Sequence, residues 1–306
     1  MNRLSTLLES PPPTTSWTID SSVVGALRRD PSAAAHWAAE TTPEGAFDVG
    51  PVGLQSVDRR KLVTVLGSVH GRLDGARRAA VVVPSAWTRC YRLEFPELPR
   101  RHVELEQVVQ WRLKKLLPVP PSDLRMSLVP LAPTDGVRPL LAMVALERAV
   151  AELESAFREV GIEPGMITGR TFALAGRGGE DGLVRLIVQQ EPGFLSLMLM
   201  DGEVLRLIRT KPLAASGRLS EIVRRELGLT LVYIRETGGV SDEIAFEVSA
   251  EDAKLGAEME HWLAGQPGMV PRAAGDPPQL TESGAEDRLG WARILPAWWA
   301  MTGGIR

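Results

Sequence analysis

A polar turn between two apolar runs, Ile19-Asp20-Ser21-Ser22, is the first place in this chain where side chains suggest chemistry. An aspartate at such a turn can hold Mg2+ through water, and the turn's backbone N–H groups can cradle phosphate oxygens. Against that use, no glycine stands where the backbone must approach a phosphate closely, and Asp/Ser turns also form for structural reasons alone. Other chemistries find less support. His36, His70, His102 and His261 are scattered without ligand spacing, so no metal site is expected. There is no Gly-x-Ser-x-Gly elbow and no Walker loop. Gly176-Arg177-Gly178-Gly179 does not follow a strand that would aim it at a phosphate and reads as a solvent loop. The single cysteine, Cys90, lies in the strand-like run Arg89 to Leu93 and reads as a packing residue, not a nucleophile. No residue is assigned a catalytic role.

Composition narrows the partners. The 306 residues suit two lobes, and 44 % hydrophobic residues are enough for real cores. Acids and bases are interspersed around a net charge of −3, so nothing marks a nucleic-acid face. One cysteine permits no intrachain disulfide and fits a reducing compartment. Pro11-Pro12-Pro13 cuts short any secretion signal, and no window reaches the roughly 18–20 apolar residues of a span. The nearest, Trp291 to Met301, is short and holds Arg293 and Pro296. Its aromatics Trp291, Trp298 and Trp299 read as core more than as an interfacial anchor.

The elements that must position the turn follow from periodicity. Residues 1–15 read as a disordered tail. Two short strands flank Asp20-Ser21-Ser22, and a strand or two fall within 30–56. Asp58 caps a helix to about Leu73, with Leu62, Val65, Leu66 and Val69 on one face. Ala79–Val83 is a buried strand and Arg89–Phe95 an alternating one. A helix from about Val103 to Leu117 stops at Pro118. Strands at 124–131 and 139–146 and a helix at about 148–160, ended by Gly161, come next. The second half offers a hairpin at 185–200 around Glu191-Pro192-Gly193, a strand at 204–208 and a helix at 219–235. A strand at 243–248, a helix at 251–263, a Pro/Gly-rich loop at 265–282 and a last helix near Met301 close the chain. The hairpin, strand and helix near 16–73 recur near 184–235, which suggests two similar lobes.

Leu93-Glu-Phe-Pro-Glu-Leu-Pro99 precedes a helix with Glu104 and Trp111 that ends Leu116-Leu117-Pro118-Val-Pro120. Two strands, a helix and Gly161-Ile-Glu-Pro-Gly165-Met-Ile-Thr-Gly-Arg-Thr-Phe172-Ala-Leu-Ala175 follow. In order and spacing this passage resembles the type IV pilus assembly family PilM, related to the cytoplasmic part of type II secretion protein L. The likeness runs over about 16–306 and is strongest at 89–175. It implies an α/β, actin-like (ribonuclease-H-type) fold of two lobes. The first lobe would take 16–95 and 150–180, an inserted subdomain 96–149, and the second lobe 181–306. It also implies a cytoplasmic scaffold peripheral to the inner membrane, reaching the membrane only through its partner. That partner would be the N-terminal tail of a PilN-like bitopic protein, with a pilus motor ATPase as a further candidate and no nucleic acid. A peptide groove needs apolar walls with a few polar handles, and Arg89, Tyr91, Leu93, Val108, Trp111 and Lys115 are our inference for those walls.

The departures from the family bear on nucleotide. The turn keeps Asp20, Ser21 and Ser22 but lacks the family's glycine. The second phosphate loop becomes Gln189-Gln190-Glu191-Pro192, which opposes an anion by charge and removes a donor. Ser249-Ala250-Glu251-Asp252 stands where a glycine pair should follow the strand. Each lost donor costs on the order of 1–3 kcal/mol, so the expectation is a pseudo-ATPase with no cofactor. The alternatives are a working ATP/Mg-binding switch built on Asp20, or a type II secretion component. Members of that last group normally continue into a span, which is not found here.

Overall fold

The computed structural model describes residues 13–30, 34–50, 52–73, 77–133, 136–175, 183–202, 204–213, 219–236, 243–272, 278–281 and 289–302. Most of the expected 1–15 tail, and the loop at 176–179, lie outside them.

The first lobe grows from one hairpin. Strands β1 (Thr15–Ile19) and β2 (Val23–Arg29) pair antiparallel across the Asp20 turn, and β3 (Ala34–Thr41) continues the meander. After a small hairpin of β4 (Phe47–Gly50) and β5 (Gly53–Val57), α1 (Arg59–His70) begins. Asp58 caps it, accepting the Lys61 N–H at 3.2 Å. Leu62, Val65, Leu66 and Val69 form its buried stripe. Gly53 has to be glycine. Its φ is +97°, and a Cβ there would meet the Trp87 carbonyl oxygen at 2.1 Å. Strand β6 (Arg78–Val83), buried on both faces from Ala79 on, adds parallel to β1. Later β10 (Glu163–Gly169) adds parallel to β6.

The second lobe repeats the plan. Strands β11 (Val184–Glu191), β12 (Phe194–Asp201) and β13 (Val204–Pro212) form an antiparallel meander. Helix α5 (Leu219–Glu236) then leads to β14 (Ile244–Ala250), parallel to β11. Helix α6 (Ala253–Ala264) leads to the short β15 (Met269–Pro271), parallel to β14. Three antiparallel strands followed by two parallel ones therefore occur twice, in the orders β3-β2-β1-β6-β10 and β13-β12-β11-β14-β15. That doubled ribonuclease-H-type sheet is the actin-like fold.

Between β6 and β10 sits the insertion: β7 (Arg89–Phe95), α2 (His102–Leu113), β8 (Leu124–Pro130) and β9 (Arg138–Leu146), in the order β7-β9-β8. Helix α3 (Glu147–Glu159) returns the chain to the first lobe. One face of the inserted sheet joins the first lobe's core through Leu140, Ala142 and Val144. The other face, Cys90, Leu141 and Met143, packs with Ile187, Met198 and Leu205 of the second lobe.

Several boundaries differ from the sequence reading. The inserted sheet starts at Arg89, not at 96, because β7 pairs with β9 and not with β6. The last helix, numbered α7 here (Trp291–Thr302), packs on the first lobe although it closes the chain. Leu289, Ile294, Ala297, Trp298 and Met301 lie against Leu27, Ala35 and Ala39. The short β16 (Gln279–Leu280) pairs with β3 of the same lobe. Helix α2 stops at Leu113 and tightens, the Leu116 N–H reaching the Leu113 carbonyl at 2.8 Å. Among the described residues no helix is long and apolar enough to cross a membrane.

Candidate functional site: the cleft between the lobes

Asp20 stands where β1 stops. Its Oδ1 folds back on its own turn, accepting from Ser22 N at 2.7 Å, Ser22 Oγ at 2.7 Å and Val23 N at 2.9 Å. Its carbonyl accepts from Thr42 Oγ1 at 2.7 Å. That leaves Oδ2 to point into the cleft, as a metal or phosphate site would want. Two guanidiniums meet it instead: Arg170 Nη2 and Arg293 Nε each donate to Oδ2 at 2.5 Å.

Each arginine comes from a helix that runs between the lobes. Arg170 is the first residue of the short helix α4 (Arg170–Ala175) and is 0 % exposed. The adjacent Thr171 fixes the approach: its N–H donates to Ser85 Oγ at 3.1 Å, and the two hydroxyls meet at 2.8 Å. Arg293 lies in α7. Its Nη2 donates to Ser22 Oγ at 2.8 Å and to Glu251 Oε2 at 2.6 Å.

The second lobe answers with carboxylates. Gly193, at φ +77°, turns the β11–β12 hairpin and leaves Glu191 buried at its edge. There Glu191 accepts the Ser85 N–H, at 2.9 Å to Oε2, and lies 3.3 Å from Arg170 Nη1. Glu251, in the turn from β14 to α6, receives Arg170 Nη1 on Oε1. The turn is fixed by Asp252, which caps α6 through the Leu255 N–H at 3.0 Å, and by the Glu251 N–H, which reaches the Gln190 carbonyl at 3.3 Å. The ends of β1, β11 and β14 thus each bring an acid to Arg170, and two of these acids, Asp20 and Glu251, also meet Arg293.

The electrostatics follow from burial against pairing. For Asp20, burial raises the pKa, but Arg170, Arg293 and the hydrogen bonds from Arg293 and Ser22 outweigh it and hold the carboxyl well below the usual range. For Arg170, burial disfavours the charge, yet Glu191, Asp20 and Glu251 keep it more firmly protonated than an ordinary arginine. Glu191 goes the other way: burial pushes it up to about 7 despite Arg170 and the Ser85 N–H, with Glu251 and Asp20 adding to the rise. Chemically the arrangement is a closed charge cluster. Arg170 Nη1 and Nη2 and Arg293 Nε and Nη2 are already given to protein oxygens. Beside it, at the end of β14, lies a cavity of about 220 Å3 lined by Ser249, Ala250, Ala253, Gly256, Trp291 and Leu295. That is below the volume usual for a small-molecule site.

The other expected residues fall elsewhere. Tyr91 and Leu93 are half-buried against the first lobe's core, and Arg89 Nη1 donates to the Ala86 carbonyl at 3.3 Å. Helix α2 buries Leu105, Val109 and Leu113 and turns Val108 and Trp111 outward, Trp111 being 59 % exposed. Lys115 Nζ sits 4.9 Å above the Trp111 ring, and Arg112 lies 5.6 Å over Phe95 of β7. Tyr91 and Leu93 therefore face the core, while Val108 and Trp111 face out. Val103 and Leu116 extend the outward apolar face. Burial pushes the Cys90 thiol up to about 12, away from the thiolate that a nucleophile needs. Among the described residues no group of acids, histidines and cysteine is placed to hold a metal.

No family model and no curated protein matches the chain. Solved structures do. A chain of the PilM–PilN type IV pilus biogenesis complex superposes with a TM-score of 0.70 over 93 % of this chain and 97 % of that one, at 16 % identity. The protein has a PilM-type, actin-like fold. The cytoplasmic domain of EpsL, an inner-membrane component of the type II secretion system of Vibrio cholerae, superposes less closely. Its TM-score is 0.49 over 94 % of each chain, at 10 % identity. A hexokinase from Thermus thermophilus gives 0.41 over 94 % of this chain and 97 % of that one, at 12 % identity. Within the PilM-type frame, Asp20 ends the first strand of lobe one and Glu191 the first strand of lobe two. Arg170 and Arg293, which sequence reasoning passed over, complete the site. Arg293 carried a signal, being one charge within the apolar run Trp291 to Met301.

Proposed function

We propose that this chain is a non-catalytic scaffold on the cytoplasmic side of an inner-membrane assembly platform of the type IV pilus kind. In this reading it holds the N-terminal tail of a PilN-like bitopic membrane protein, reaches the membrane through that partner, and sits between the platform and a motor ATPase. The observation that carries the non-catalytic half is the filled cleft: Arg170 and Arg293 pair with Asp20, Glu191 and Glu251 where phosphates and Mg2+ would sit. The likeness in fold to the PilM–PilN complex supports the partner half. A surface for the tail is offered by the inserted subdomain, where Val103, Val108, Trp111 and Leu116 stay exposed beside Arg112 and Lys115.

Calorimetric titration with synthetic N-terminal peptides of PilN-like proteins tests this. Saturable binding that weakens about tenfold in Trp111→Ala is expected, the loss typical of an aromatic anchor. Absence of binding by every such peptide would remove the scaffold reading. Binding of a type II secretion tail in preference to a pilus one would move the protein to that system.

A further inference from the structure

The cleft cluster holds one carboxylate too many. Among the described residues Asp20, Glu191 and Glu251 face only Arg170 and Arg293, and every ion pair the three acids make runs to one of those two guanidiniums. The groups also divide between the lobes. Asp20, Ser85, Arg170 and, through α7, Arg293 belong with the first; Glu191 and Glu251 belong to the second. We propose that the cluster is a proton-controlled latch at the mouth of the cleft, closed when Glu191 carries a proton and loosened when it gives that proton up.

The argument is one of charge balance at low dielectric. With Glu191 neutral, two carboxylates face two guanidiniums, and one Glu191 oxygen still accepts the Ser85 N–H. With Glu191 ionised, a third negative charge is buried beside two others without a further cation, and an uncompensated buried charge is costly. Every element packed on Glu191 contributes to that balance. Asp20 comes from the end of β1, Arg170 from α4, Glu251 from the β14–α6 turn and Arg293 from α7. Ser85, after β6, and Gln189 and Gln190, on the same strand as Glu191, are uncharged. Burial places the Glu191 proton in the neutral range, at about 7, where ordinary cytoplasmic shifts in pH would act on it. The apolar contact behind the cluster, Leu174 and Ala175 with Ile187 and Met198, would hold the lobes together while the mouth opens; Arg185, which donates to the Ala175 carbonyl and pairs with Glu247, and Cys90 are the titratable groups beside it.

Hydrogen exchange followed by mass spectrometry on the whole chain tests the latch through the segment 84–88, whose Ser85 N–H is bound by Glu191. After correction for the intrinsic pH dependence, exchange there should be about tenfold faster at pH 8.5 than at pH 6. That factor is what a carboxyl at about 7 when closed and at its ordinary 4.5 when open implies. Helix α1, away from the cleft, should show no such change. Glu191→Gln should abolish the difference, and so should Glu251→Gln, which removes the surplus charge from another element. Equal exchange at both pH values in the natural chain would overturn the proposal, whether or not either variant folds. So would a tenfold difference that persists in both variants.

Discussion

Asp20 shows how a residue suited to metal chemistry can be turned to structure. One oxygen closes its own turn and the other is shared by two arginines, so no lone pair is left aimed at open space. Arg170 is the residue on which the cluster depends most, because it touches all three acids and is fully buried. Arg170→Met leaves those acids with one cation among them, and a loss of about 3–5 kcal/mol in urea unfolding is expected. The pH dependence has two limbs. Asp20 is depressed in the folded state, so its contribution is present above its ordinary 3.8 and is lost as pH falls below that. Glu191 is raised, so its unfavourable charging begins near its ordinary 4.5 and is complete above about 7. From these two groups stability peaks in mildly acidic solution. Glu191→Gln should remove the decline between pH 5 and 8, seen as a flat melting temperature across that range.

At the scale of elements, the strands and long helices follow from patterns a reader can see in the sequence. Asp58 before Leu62, Val65, Leu66 and Val69 predicts α1, and Gly161, at φ +81°, ends α3 as a C′ glycine should. Helix α4 was not legible. It has six residues, follows β10 without a break, and is helical because both lobes pack around it. Strands β15 and β16 are too short, within a Pro/Gly-rich stretch, to show any period. The same difference divides the site. Asp20 and the replaced loops at Glu191 and Glu251 are visible as departures from a pattern. Arg170 and Arg293 acquire meaning only when two helices distant in sequence converge on one carboxylate. Two element-scale predictions follow from packing. Gly53→Ala should destabilise by more than about 1 kcal/mol, because a positive φ and the Trp87 carbonyl both oppose a Cβ. Trp111→Ala, on the open face of α2, should change unfolding stability by less than about 0.5 kcal/mol, which separates a docking role from a folding one.

At the scale of the molecule, two ribonuclease-H-type lobes are joined along their shared face by apolar packing, by the buried Arg185 of lobe two, whose Nη2 donates to the Ala175 carbonyl of α4 at 3.1 Å, and by the charge cluster at the mouth. The inserted sheet bridges the lobes as well, its Leu141 and Met143 face lying against lobe two. An actin-like protein that cycles nucleotide must open and close around it. On the reading proposed above, this one has its own side chains where that ligand would act. The account stands most directly on a thermal-shift titration of the whole chain with Mg·ATP. No change in melting temperature up to millimolar nucleotide is expected, because a ligand that bound the folded state would stabilise it by mass action. A saturable rise that Asp20→Ala abolishes would contradict it, and would mean that the arginines release Asp20 to a nucleotide after all.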